Sequence, residues 1–155
     1  MAFLEAADVV DLAMQLEQNG EAFYRAAATK AASPKIRSLF EDLAEQEVQH
    51  YEVFAKMRQG ARHKALMSDD EWEWYLSYLN NTVDSALFRG PDKALAAAHD
   101  VTDEKEAIRL AIGFEKETLL FFYDLRELLS VADQTFVTEI VNQEKGHIRR
   151  LAEML

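Results

Sequence analysis

Glu47 and His50 stand three residues apart, and so do Glu144 and His147. Each pair lies in a stretch dense in helix-forming residues, where that spacing sends both side chains from one helix face, and a carboxylate with an imidazole can then grip one metal ion. A lone Glu-x-x-His would mean little, since on most helices it is a solvated face. Here the pattern occurs twice, as Gln46-Glu47-Val48-Gln49-His50 and Gln143-Glu144-Lys145-Gly146-His147. Each copy follows a further glutamate, Glu17 or Glu115, by about thirty residues. Six such donors from four helices suit a pair of metal ions at the centre of a helical bundle.

The chemistry follows from what surrounds those donors. The helical lines that carry them are otherwise apolar and hold no lysine or arginine. Four carboxylates brought together in a low-dielectric core repel strongly unless protonated or paired with cations, at a cost of several kcal/mol if left bare. Two divalent ions would balance them. Glu47 and Glu144 are expected to bridge the ions, His50 and His147 to complete one each, and Glu17 and Glu115 to bind from the outer ends. Oxygen and imidazole donors without thiolates suit iron or manganese, with zinc able to occupy the site but without redox chemistry. Two iron ions are preferred, because adjacent Fe(II) ions can deliver two electrons to a peroxide or dioxygen bound between them.

The elements that must position these residues are helices. The 155-residue chain is 49% apolar, with only five glycines and two prolines, and reads as one all-α domain over 1–155. A first helix is expected from Phe3 to Ala32, with Val10, Met14, Glu17, Tyr24 and Ala28 inward. Ser33 caps a second that starts at Pro34, carries Ile36, Phe40, Leu43, Glu47, His50, Phe54 and Met57 inward, and ends near Gly60. Thr102 or Asp100 can cap a third, with Ile108, Ala111, Glu115, Thr118, Phe122, Leu125 and Leu129 inward. Ser130 with Asp133 opens a fourth, whose line is Val137, Ile140, Glu144, His147, Leu151 and Met154.

Short junctions near Ser33 and Ser130 make two antiparallel hairpins, and the long crossover over 61–101 must join them. Within it, Ser68 and Glu71 form a capping box. Trp72, Tyr75, Leu79, Val83 and Ala86 then share one face of an accessory helix that Gly90-Pro91 breaks. The halves repeat: a shift of 98 places Leu16-Glu17 on Phe114-Glu115, and a shift of 97 places Glu47 and His50 on Glu144 and His147. Two like hairpins related by a pseudo-twofold axis would build a symmetric site.

With this pattern the chain resembles the ferritin-like di-iron carboxylate superfamily, and within it the rubrerythrin-type family, over 3–60 and 102–155. The resemblance implies a ferritin-like four-helix bundle and maps the family's four glutamates and two histidines onto Glu17, Glu47, His50, Glu115, Glu144 and His147. It also maps a family tyrosine onto Tyr24, implied to donate a hydrogen bond to a carboxylate ligand. Two departures stand out. Rubrerythrins usually carry an extra glutamate one turn beyond the third-helix ligand, where this chain has Thr118, and Glu117 faces away from that side. With no cysteine there is no rubredoxin-like module, so electrons must come from a separate electron-transfer protein or from Fe(II) itself. A cage ferritin is disfavoured by the long aromatic crossover and by the mere eight residues that follow His147.

The resemblance implies a peroxide- or dioxygen-reducing oxidoreductase that protects against oxidative damage. The alternatives are a ferroxidase that sequesters iron and an interaction protein with a vestigial site. A net charge of -11 argues against nucleic acid or an anionic membrane as partner. The N-terminus lacks the pattern of a secretory signal, and a cytoplasmic protein is expected. Glu21 is expected to pair with Arg25 at the surface, and His63 and His99 to be surface histidines. Trp72, Trp74, Tyr75 and Tyr78 cover more than one face of the accessory helix, which suggests a homodimer.

Overall fold

The computed structural model describes residues 3–60, 65–82 and 90–155. Their order is β1 (Phe3–Glu5), α1 (Ala6–Lys30), α2 (Pro34–Gly60), β2 (Ala65–Ser68), α3 (Asp69–Thr82), α4 (Pro91–Asp100), α5 (Glu104–Leu128) and α6 (Val131–Ala152). Helices α1 and α2 pack as one hairpin and α5 and α6 as the other, while α1 meets α5 and α2 meets α6 to close the bundle. These are the two antiparallel hairpins expected from the inward lines, and they form the all-α, ferritin-like architecture that the resemblance implies.

The junctions form as their side chains dictate. The Ser33 hydroxyl accepts from the Ile36 N–H at 3.4 Å, and Arg37 reaches back to the Ala31 carbonyl at 2.7 Å. Ser130 caps α6 by accepting from the Asp133 N–H. In the crossover, Ser68 and Glu71 satisfy each other's N–H groups reciprocally at the start of α3. That helix docks through Tyr75, whose hydroxyl donates to Asp124 on α5 at 3.2 Å, and leaves Trp74 70% exposed, stacked on Tyr78.

Three details differ from the sequence expectation. Residues 3–5 are not the first turn of α1 but a short strand, antiparallel to β2 with Phe3 opposite Ser68 and Leu4 opposite Met67. The pairing partners lie sixty or more residues away, and the three-residue run Phe-Leu-Glu is too short to carry a period that separates strand from helix. The crossover also holds a second helix, α4, since Gly90-Pro91 not only ends a segment but starts one. Gly90 has φ 109°, a conformation that favours glycine, and Pro91 fills the first helical position. Ala94 and Ala98 are buried where α4 packs on α1. The cap of α5 is therefore Asp103, which accepts from the Glu106 N–H at 2.7 Å; Asp100 is the last residue of α4, and Thr102 instead donates to the Glu106 carboxylate. Val83, Ala86 and His63 lie outside the described residues.

The core runs the length of the bundle and is rich in aromatic side chains. Phe23, Phe40, Phe54, Phe121 and Phe122 are fully buried. Phe23 meets Phe114 edge to face at 5.0 Å, and Phe54 meets Phe122 at 5.2 Å. These rings sit above and below the middle of the bundle, where the interior ceases to be apolar.

Asp103→Ala should cost about 0.5–2 kcal/mol of stability in a denaturant titration. Asp100→Ala should change it by no more than about 0.5 kcal/mol.

Candidate metal centre

Mid-helix positions of all four bundle helices converge on one buried spot. Glu17 comes from α1, Glu47 and His50 from α2, Glu115 from α5, and Glu144 and His147 from α6, and none is more than 4% exposed. Their donor atoms form two groups, Glu17, Glu47, His50 and Glu144 in one and Glu47, Glu115, Glu144 and His147 in the other, with the ligand atoms of each group within 4.8 Å of one another. Every sequence-predicted donor is present. The two groups share Glu47 and Glu144.

The shared carboxylates span the two halves atom by atom. Glu144 turns Oε1 to His50 Nδ1 at 2.9 Å and Oε2 to His147 Nδ1 at 2.8 Å. Glu47 likewise turns Oε2 to His50 at 3.9 Å and Oε1 to His147 at 3.4 Å. At the ends, Glu17 lies 3.6 Å from His50 Nδ1 and Glu115 lies 3.3 Å from His147 Nδ1. The imidazoles stack nearly parallel, 14° apart in plane and 5.6 Å between centroids.

Both oxygens of Glu17 and of Glu144, one oxygen of Glu47 and Nδ1 of His50 are buried without a hydrogen-bond partner. Buried polar atoms in native structures almost always have partners, so this concentration of orphaned donors calls for an occupant. Cations fit. The histidine tautomers agree, because each ring's Nε2 meets an amide oxygen, His50 that of Gln143 at 2.7 Å and His147 that of Gln46 at 2.8 Å. An amide oxygen only accepts, so both Nε2 atoms carry protons, and Nδ1 is the ring nitrogen that faces the carboxylates and would bind an ion once its own proton is released.

These two glutamines escaped the sequence reading. Their signal was the residue before each shared glutamate, identical in the two copies.

Tyr24 behaves as implied, its hydroxyl donating to Glu115 Oε1. Burial and the neighbouring Glu115 carboxylate hold its phenol well above the usual range, so it keeps its proton. Thr118 is buried one turn beyond Glu115 and lines, with Gly20, a cavity of about 10 Å³ against Glu47 and Glu115, close to the volume one water needs. A Cβ at Gly20 would already stand 3.4 Å from Glu47 Oε2. Glu117 is absent from both donor groups, Glu21 pairs with Arg25 at 2.7 Å, and His99 is exposed, all as expected. A larger cavity of about 540 Å³ near Lys30 and Val101 touches none of the six donors, and the Lys30 ammonium is taken up by the carbonyls of His99 and Val101.

Without cations the cluster must share protons. Burial, and then the Glu47 charge, raise Glu17 well above the carboxylate range; burial and the Glu144 charge do the same to Glu115. Burial alone would lower both histidines, yet Glu17 and Glu144 outweigh it and push His50 up to about 12. Glu115, Glu144 and Glu47 likewise raise His147. Burial works against the Glu144 anion, but contacts from both imidazoles overcome it and lower its pKa.

A sequence model of the rubrerythrin family matches residues 8–155. The chain belongs to the rubrerythrin family. A crystal structure from Thermotoga maritima, of a protein described as ferritin-like and diiron-carboxylate, aligns with 99% of this chain and 96% of that one, at a TM-score of 0.67 and 27% identity. No curated protein sequence matches. No described helix is long and apolar enough to cross a membrane.

Groups whose pKa is raised by folding contribute stability that is lost as pH rises. For the histidines that loss begins above their ordinary value of 6.5 and, for His50, continues to about 12. Glu144, lowered by folding, acts in the opposite sense and only below about 4.5. The metal-free protein should therefore have a lower Tm at about pH 9 than at about pH 7. Saturation with a divalent metal should remove most of that difference and release protons into a weakly buffered solution.

Proposed function

We propose that this protein is a non-haem di-iron oxidoreductase that reduces hydrogen peroxide or dioxygen. The observation that carries the reading is the pair of donor groups sharing Glu47 and Glu144, a construction suited to two adjacent ions. Glu47 and Glu144 would bridge, His50 and His147 would each complete one ion through Nδ1, and Glu17 and Glu115 would close the ends. Two iron ions held there would supply two electrons to the oxidant; manganese fits the same donors, and zinc would fill them without redox activity.

The chain's own residues do the rest. Phe23, Phe54, Phe114 and Phe122 keep bulk water from the carboxylates. Tyr24 fixes Glu115 and holds a proton beside it. Gly20 and Thr118 leave the small space against Glu47 and Glu115 that a two-oxygen-atom oxidant would approach. A separate electron-transfer protein would re-reduce the centre, since the chain has no cysteine to hold a second redox group. The exposed Trp74–Tyr78 stack is the surface we assign to a second copy of the chain, and sedimentation at micromolar concentration should show a dimer.

The net charge of -11, which attracts cations, favours a second reading: oxidation and sequestration of Fe(II). Anaerobic mixing of the Fe(II)-loaded protein with peroxide, and separately with dioxygen, distinguishes the two. Fast turnover of peroxide with an electron donor supports the oxidoreductase; retention of many irons per chain supports sequestration. Glu47→Ala or Glu144→Ala should reduce occupancy from two ions to at most one, with the helical circular dichroism unchanged. Two coupled irons in either variant would refute the bridging roles.

A further inference from the structure

The two ends of the centre are held differently. Gln46, next to Glu47 on α2, orients His147 of α6, and Gln143, next to Glu144 on α6, orients His50 of α2. Each helix thus fixes the other's histidine. Behind Gln46 the chain of contacts continues, for its amide N–H donates to Asp42 Oδ2 at 2.8 Å, and Arg150 on α6 meets the same oxygen at 2.7 Å. Gln143 is exposed and has no such anchor among the described residues. Glu139, spaced from Gln143 as Asp42 is from Gln46, makes no hydrogen bond to it. The end ligands repeat the contrast. Glu115 is tied by the Tyr24 hydroxyl, whereas both oxygens of Glu17 lack a hydrogen-bond partner.

We propose that this one-sided support makes the two metal positions unequal, the position built on His147 and Glu115 holding a divalent cation more tightly and filling first. The inference rests on the paired-metal reading of the centre. Two physical effects point the same way. An amide that donates to a carboxylate is polarised, so its oxygen accepts more strongly and the imidazole it receives from becomes a better donor at Nδ1. A ligand already fixed in place also loses less freedom when the ion arrives. Arg150 offsets part of the Asp42 charge, which leaves positional fixing as the larger effect. Gln46 and Asp42 are positioning residues, acting on the ion only through His147.

Stepwise Co(II) titration of the metal-free, full-length protein by calorimetry tests this. The wild type should bind two ions with resolved constants. Gln46→Ala should weaken the tighter step by about 10- to 100-fold and bring the two constants together, while Gln143→Ala should weaken the looser step by a similar factor and drive them apart. Asp42→Ala, a surface change, should act as Gln46→Ala does but less strongly. In Zn(II)-loaded protein the His147 Nε2–H should exchange with deuterated solvent more slowly than that of His50, and Asp42→Ala should narrow the gap. Two indistinguishable constants in the wild type, or identical effects of the two glutamine variants on one step, would overturn the inference with the paired site intact. Fewer than two Co(II) bound by the wild type would overturn the paired site as well.

Discussion

Mutual repulsion among four buried carboxylates is the constraint around which the bundle is arranged. Two like charges about 4 Å apart repel by about 4 kcal/mol even at an effective dielectric constant of about 20. One such pair is comparable with much of a domain's net stability, about 5–15 kcal/mol. Protons relieve part of this, since burial and the neighbouring carboxylates push Glu17 and Glu115 well above the usual carboxylate range. They leave several oxygens without partners and force both imidazoles to carry charge in a dry interior. Cations answer both needs at once. The apolar packing must therefore supply enough stability to tolerate a centre that, when metal-free, works against folding.

The helical hairpins supply it by symmetry. Each contributes one helix with a lone glutamate and one with a glutamate and a histidine, so no single element gathers more than one carboxylate at the centre. The aromatic core flanks the cluster along the bundle, and the crossover, with α3 and α4, carries the chain from one hairpin to the other. Symmetry of the six donors does not extend to what holds them. Tyr24, Gln46, Asp42 and Arg150 all support the His147 and Glu115 side.

The six donors and the inward lines were legible because a helical period turns spacing directly into direction. The three-residue step from Glu47 to His50 places both on one helix face whatever the tertiary structure. The strand pair β1–β2 was not, since three residues are too few to carry a period and their partner is remote in sequence. Helix α4 was hidden by Gly90-Pro91, a dipeptide that marks a stop as readily as a start. Gln46 and Gln143 were visible as identities between the two copies, yet their role depends on which histidine lies across the helix interface. That is a property of packing, and an uncharged amide announces no chemistry of its own.

Diffraction at the iron absorption edge from crystals of protein loaded with Fe(II) under anaerobic conditions tests the central claim most directly. The account predicts two anomalous peaks per chain, about 3.5–4 Å apart, both flanked by Glu47 and Glu144, one beside His50 and the other beside His147. A single peak, or none, with the four carboxylates still packed together, would contradict it.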